Sequence, residues 1–192
     1  MNIEILGYGA FGSFLARELP AVGFNVVGEA DVIILAIPAQ AYLETVNDWI
    51  HSGKQFINVC SVQLETTKAL LSATEKVTSI HPLFGARTPA DKRNSLLTYQ
   101  SETPEEKQFL ELFGKFSRIS SLYNPENHDR LMAKTHLAAV RAAQLVKIFV
   151  KGAEDVPDEF IPNSFRLLRE FTKTLEDMPQ GTIDSITSNP FQ

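Results

Sequence analysis

Cysteine is almost absent from this chain. A single residue, Cys60, excludes a disulfide framework and offers no cluster for a metal. The four histidines, His51, His81, His128 and His136, show no zinc-type spacing either. Positive charge is scarce: 18 Lys and Arg against 23 Asp and Glu give a net charge of −5, which argues against nucleic acid as a partner. No apolar run approaches the ~20 residues of a membrane span, and no charged segment leading into an apolar one precedes the first motif. Internal repeats and low-complexity tracts are missing as well. These absences leave a reducing, cytoplasmic protein with no metal, membrane or nucleic-acid partner as the expectation. Hydrophobic residues make up 44% of the chain, enough to bury a core.

What is present starts near the N-terminus with ILGYGAFGSFLAREL, residues 5–19. Gly7, Gly9 and Gly12 have the spacing G-x-G-x-x-G, after an alternating apolar run and before an amphipathic one. A strand that feeds straight into a helix is the context that gives this spacing meaning. Gly7 allows the tight turn, Gly9 lets a pyrophosphate approach the backbone, and Gly12 lets the helix pack closely on the strand. The first amides of that helix point at the phosphates, where the helix dipole favours negative charge. The segment Gly7, Tyr8, Gly9, Ala10, Phe11 and Gly12 is therefore assigned to NAD or NADP. Ile37 and Pro38, which close the run DVIILAIP, are assigned with it.

Strand and helix patterns alternate along the rest of the first part. Strands are expected at 2–6, 24–28, 31–38, 55–61, 76–80, 95–99 and 117–122, and helices at 10–22, 40–50, 64–73 and 104–115. The β-branched run 31–38 reads as a strand buried on both faces. Such alternation indicates an α/β fold, a Rossmann-like and mostly parallel sheet with helices on both faces. The pattern breaks at Asn124 and Pro125. A dinucleotide-binding domain at 1–122 is thus expected to precede a short helical domain at 123–192, serving dimerisation or substrate binding. That second part reads as a long helix at 127–151 capped by Asn127, a second helix at 163–177, and a final dozen loosely ordered residues.

One feature departs from the dinucleotide rule. The second strand should end in an acid ~20 positions past the glycines to hold the adenosine ribose. Only GEA separates FNVV from the buried run opened by Asp31, which leaves no room for the usual crossover. The adenosine half of the cradle is pared away, and Glu29 reads as a solvated turn acid, with a ribose contact as the alternative.

Taken in order, ILGYGAFG, ADVIILAIP, INVCSV, IHPLFG and the HD of NHDRLMAKTHL resemble the prephenate dehydrogenases, over the stretch from the glycine motif to about residue 150. The resemblance is to a shortened and partly degenerate form. It implies an NAD(P)-dependent oxidoreductase of tyrosine-biosynthesis type. Hydride passes from the hydroxyl-bearing ring carbon of a small cyclic carboxylate to a nicotinamide, while a ring carboxylate leaves as carbon dioxide. It also implies that His81 hydrogen-bonds and polarises the substrate hydroxyl, and that Ser61 lies near the nicotinamide and that hydroxyl. A neutral imidazole suits that task.

Several family residues are replaced. Gln63 stands where a lysine is expected, Asn58 where an acid is frequent, and Val140 where a substrate histidine is expected. His136, one turn earlier, is the candidate replacement. Arg87, Arg130 and Arg141 are the candidate cations for substrate carboxylates, and Arg87, His136 and Arg141 are taken as substrate-binding. These losses support a second reading, a non-catalytic Rossmann-like relative that binds a nucleotide, a metabolite or a protein partner.

At ~100° per residue, the helix 127–151 places Leu131, Met132, Ala139, Leu145, Val146 and Phe149 on one buried face. Leu137, Val140 and Ile148 then fall on the opposite, exposed face. A helix apolar on nearly all sides is buried on nearly all sides, so a homodimer through the helical segments is expected.

Overall fold

The structure is a computed structural model that describes residues 1–47, 52–122, 124–176 and 178–192. His51 and the last residues of the expected helices 40–50 and 163–177 lie outside the described residues. The chain divides into two compact units, Met1–Asp129 and Arg130–Gln192.

The first unit alternates as the pattern demands. Strand β1 (Asn2–Leu6) leads into helix α1 (Ala10–Glu18), and β2 (Asn25–Val26) and β3 (Val32–Leu35) follow. Next come α2 (Tyr42–Asn47), β4 (Gln55–Asn58), α3 (Leu64–Leu71) and β5 (Val77–Pro82). The series ends with β6 (Asn94–Tyr99), α4 (Pro104–Phe116) and β7 (Arg118–Ser121). The seven strands form one sheet in the order β2-β1-β3-β4-β5-β6-β7. All neighbours pair in parallel except β5 and β6, which are antiparallel.

Every residue of β3 is buried because strands and helices cover it on all sides. Its alternate residues feed two cores, as the period of a strand requires. Val32 and Ile34 join Ile3, Ile5, Ile57 and Ile80 in a cluster with Phe14 and Leu15 of α1 and Phe109, Phe113 and Phe116 of α4. Ile33 and Leu35 join Phe56 and Val77 in a second cluster with Tyr42 of α2 and Leu70 of α3. The sheet is therefore doubly wound, as expected.

Strand β2 has only two residues and pairs with β1 at Asn2–Asn25 and Ile3–Val26. The chain then crosses directly to β3 on the other side of β1. The sheet ends where a full dinucleotide fold would continue, which is how the missing crossover looks in three dimensions.

The second unit holds most of a long helix. Helix α5 (Pro125–Met132) spans the division between units, a π-helical turn (Ala133–Leu137) follows, and α6 (Ala138–Lys151) continues it. Helices α7 (Asn163–Glu176) and α8 (Gln180–Thr187) complete the unit. The last dozen residues, expected to be irregular, thus contain α8, whose Ile186 packs with Leu137, Val140 and Ala143. Asn124, not Asn127, caps the long helix: its side-chain oxygen accepts from the Asn127 amide (2.9 Å), with Pro125 at the first helical position.

The face assignment along this helix needs correction. Leu137 and Val140, expected exposed, form the buried stripe with Ala143, whereas Leu145 and Phe149, expected buried, are 63% and 70% exposed and Leu131 is 45% exposed; Ile148 is exposed as expected. The cause is the π turn. Its i→i+5 bonding inserts one residue into the helical count, so every side chain beyond it is rotated by about 100° from a uniform helical plot. Met132, before the turn, is buried as expected.

Candidate active site

The glycine turn is built by packing at two of its three glycines. Gly7 has φ +95° and a Cβ there would lie 2.4 Å from the Ala36 carbonyl oxygen. A Cβ on Gly12 would lie 1.7 Å from the Gly7 oxygen. The close approach brings the start of α1 against the end of β3, where a Gly7 Cβ would also meet Ile37 Cγ2 at 2.9 Å. Gly9 is different. A Cβ there would meet no protein atom within 4 Å, and its φ of −67° suits any residue. Nothing in the protein's own packing requires glycine at this position, so the backbone there is open to the approach of a ligand.

The head of α1 agrees with that. Gly9 gives it no side-chain cap, and its first turn has no acid. The hydroxyl of Ser13 is turned to the Tyr8 carbonyl (2.9 Å). Tyr8, Ala10 and Pro38 are exposed, and Phe11 and Ile37 are half-buried. The donor set fits a pyrophosphate. The adenosine side fits less well, because Glu29 sits exposed in the bend after β2.

The other sequence-assigned residues of the first unit follow the ends of further strands. Ser61 lies half-buried after β4, and His81 stands near the end of β5, only 2% exposed. Arg87 is exposed in the turn after β5. His136 and Arg141 belong to the second unit, His136 half-buried within the π turn and Arg141 donating to Gln192 Oε1 (2.6 Å). Arg130, at the other end of that unit, stacks on the Phe191 ring at 4.1 Å.

Two residues beside His81 had no role in the sequence reading. His81 Nδ1 is 2.9 Å from His128 Nε2, and His128 Nδ1 is 2.8 Å from Asp129 Oδ1. Both His128 and Asp129 are fully buried. Asp129 also accepts from the amides of Gln63 (2.8 Å) and Leu64 (2.9 Å), and so caps α3, whose own N-terminus has no side-chain cap. The dipeptide HD was legible as a family mark.

The replaced residues are tied into the interior. Gln63 is buried, accepts from Thr98 Oγ1 (2.7 Å) and donates to the Cys60 carbonyl. Asn58 donates to Thr66 Oγ1 (2.9 Å) and accepts from the Cys60 amide (3.0 Å) and the Tyr42 hydroxyl (2.8 Å). Burial pushes the Tyr42 phenol well above its ordinary value. A neutral amide at position 58 satisfies partners that a carboxylate could not, since Thr66 would then have to turn its proton toward it.

No group of three or more His, Cys, Asp or Glu among the described residues could hold a metal ion. No helix among them is long and apolar enough to cross a membrane.

No family model matches the chain. A T-protein of Haemophilus influenzae is 25% identical over 159 residues, 70% of this chain, and the chain spans about two fifths of that relative's length. The prephenate dehydrogenase of A. aeolicus, solved with hydroxyphenyl propionate and NAD+, superposes over 98% of this chain and 82% of its own with a TM-score of 0.73 at 16% identity. Synechocystis arogenate dehydrogenase superposes over 98% and 84% with a TM-score of 0.67 at 19% identity. The likeness to the prephenate dehydrogenases that the motifs carry is therefore borne out, in sequence by the T-protein and in fold by the solved structures.

Proposed function

We propose that the chain is a nicotinamide-dependent oxidoreductase of the prephenate dehydrogenase type, acting on a small cyclic carboxylate that bears a hydroxyl. The observation that carries this reading is the placement of the glycine turn, Ile37, Ser61 and His81 at the carboxyl ends of the contiguous parallel strands β1, β3, β4 and β5. Open α/β sheets take their ligands in that crevice, where the strand order reverses. Gly7, Tyr8, Gly9, Ala10, Phe11 and Gly12 would hold the pyrophosphate, with Ile37 and Pro38 beside it. Bound there, NAD or NADP supplies a hydride acceptor. His81 accepts a hydrogen bond from the substrate hydroxyl, which raises electron density on the oxygen as the hydride leaves its carbon. Ser61 orients that hydroxyl. For the substrate carboxylates the candidates are Arg87, His136 and Arg141.

Cofactor binding is expected to be weak. Losing one or two charge-assisted hydrogen bonds at the ribose, each ~1.5–3 kcal/mol, lowers affinity by roughly ten-fold for one weak bond and by roughly ten-thousand-fold for two strong ones. Calorimetric titration with NAD and NADP checks this, and a submicromolar dissociation constant would overturn it. Turnover is tested with prephenate and arogenate in the presence of the preferred cofactor. His81→Asn should lower kcat and kcat/KM together and leave cofactor affinity unchanged, because the lost interaction is made chiefly in the transition state.

A second reading, a non-catalytic relative, is favoured by one observation: Gln63, in place of the family lysine, is wholly engaged inside the protein. Cofactor binding without turnover on either substrate would select it. For assembly, we propose a homodimer through the helical segments, now by way of the exposed residues Leu145, Ile148 and Phe149.

A further inference from the structure

We infer that His128 and Asp129 act as a tautomer relay that decides which nitrogen of His81 carries the lone pair. The catalytic consequence rests on the oxidoreductase reading, whereas the tautomers themselves follow from geometry. An ionised Asp129 is an acceptor only, and it already takes the amide protons of Gln63 and Leu64. His128 Nδ1, 2.8 Å from its Oδ1, must therefore be the protonated nitrogen. In a neutral imidazole the other nitrogen, Nε2, is then an acceptor. It stands 2.9 Å from His81 Nδ1, which must carry a proton to make that bond. His81 is left with its lone pair on Nε2. That is the form able to accept from a substrate hydroxyl.

Without the carboxylate, the same contacts could run in reverse. His128 would donate from Nε2 to His81 Nδ1, and His81 would carry its proton on Nε2. A histidine in that form can only donate. Asp129 breaks the tie, and the head of α3 holds Asp129 in place through two backbone amides that cannot rotate away. Burial of all three side chains, at 2% exposure or less, keeps water from substituting for either partner. His128 and Asp129 are positioning residues on this account, since they act on the hydroxyl only through His81. The edge-on arrangement of the two rings, 77° apart with centroids at 5.0 Å, points one nitrogen of each at the other and leaves little tolerance for a flipped ring.

A purely structural Asp129 would cap α3 and do nothing more. Asp129→Asn separates the two roles. With its amide oxygen on the Leu64 amide, its NH2 group takes the place of Oδ1, which serves both His128 Nδ1 and the Gln63 amide, so the variant keeps one of the two caps and demands a lone pair on His128 Nδ1. Both histidines should then invert. Long-range proton–nitrogen NMR correlations on the full chain labelled with 15N-histidine read the tautomers directly. The expected result is an Nδ1–H tautomer for His81 and His128 in the unmodified protein, and an Nε2–H tautomer for both in Asp129→Asn. An Nε2-protonated His81 in the unmodified protein overturns the proposal even if the variant does not fold. Unchanged tautomers in a folded Asp129→Ala variant, which offers His128 Nδ1 no acceptor at that position, overturn it as well. With the cofactor and a substrate that the unmodified protein turns over, Asp129→Asn should lose about a hundred-fold or more in kcat with cofactor affinity unchanged. Full kcat in a variant with inverted tautomers would remove the catalytic role and leave the oxidoreductase reading standing. If no cyclic carboxylate is turned over, that reading falls, and the spectra alone decide the relay.

Discussion

At the scale of the residue, the glycine motif combines two demands that its spacing cannot separate. Gly12 is required by the fold, since a Cβ would overlap the Gly7 carbonyl oxygen at 1.7 Å. Gly9 is required by nothing in the chain itself. Gly9→Ala should therefore keep the thermal midpoint of the unmodified protein within a degree or two, while calorimetry shows weaker NAD(P) binding. Gly12→Ala should lower stability by roughly 3 kcal/mol or more, because backbone rather than a flexible side chain must move. Equal losses of stability in both variants would show that the turn, not a ligand, needs Gly9. The glycines and His81 were legible because each is marked by local spacing. His128 and Asp129 carry no such mark of their role, since what matters is a partner 47 residues away in sequence. Gln63 was legible as a replacement but not as a buried one.

Elements were legible where their periodicity stays uniform. The strands were placed correctly because β-branched runs alternate or are buried throughout, and their ends differ from expectation by a few residues only. The long helix shows the limit. A π turn has no propensity signature, yet one inserted residue moved Val140 from an expected exposed face to 3% exposure. A polar layer under the sheet was equally invisible. Tyr42 of α2 donates its single proton between the Leu35 carbonyl (3.0 Å) and Asn58 Oδ1 (2.8 Å), which ties that helix to β3 and β4. Tyr42→Phe should cost about 1–2 kcal/mol in urea unfolding at neutral pH. Burial raises the phenol's pKa in the folded state, so its contribution is fully present below the unfolded value of 10.0 and is lost as pH rises beyond it. The stability difference between the unmodified protein and Tyr42→Phe should therefore shrink above pH 10. A difference that stays constant to pH 11 would show that the hydroxyl is not held neutral.

At the scale of the whole molecule, the sheet and the helical unit raise different questions. The sheet order β2-β1-β3 follows directly from the short linker before Asp31, so the truncated edge could be read from chain length alone. The helical unit could not be read in the same way, because its exposed face depends on the π turn. Leu145, Ile148 and Phe149 lie at helical spacing on α6 and are largely exposed, and α7, which packs on α6, adds Leu167 and Leu168 at 58% and 39% exposure. Exposed apolar side chains grouped on neighbouring helices make this face a candidate interaction site. A second copy of the chain presents the same surface, so a two-fold contact would cover both at once and feel one substituted charge twice. Phe149→Glu should then give a monomer in sedimentation at micromolar concentration with the thermal midpoint of the dissociated unmodified protein. Val140→Glu places a charge inside the small core with Leu137, Ala143 and Ile186, and it should destabilise the helical unit by roughly 3 kcal/mol or more whatever the assembly. The two variants thus separate interface from core. An unmodified protein that sediments as a monomer at these concentrations removes the dimer, and a Phe149→Glu protein that remains dimeric moves the contact to another face.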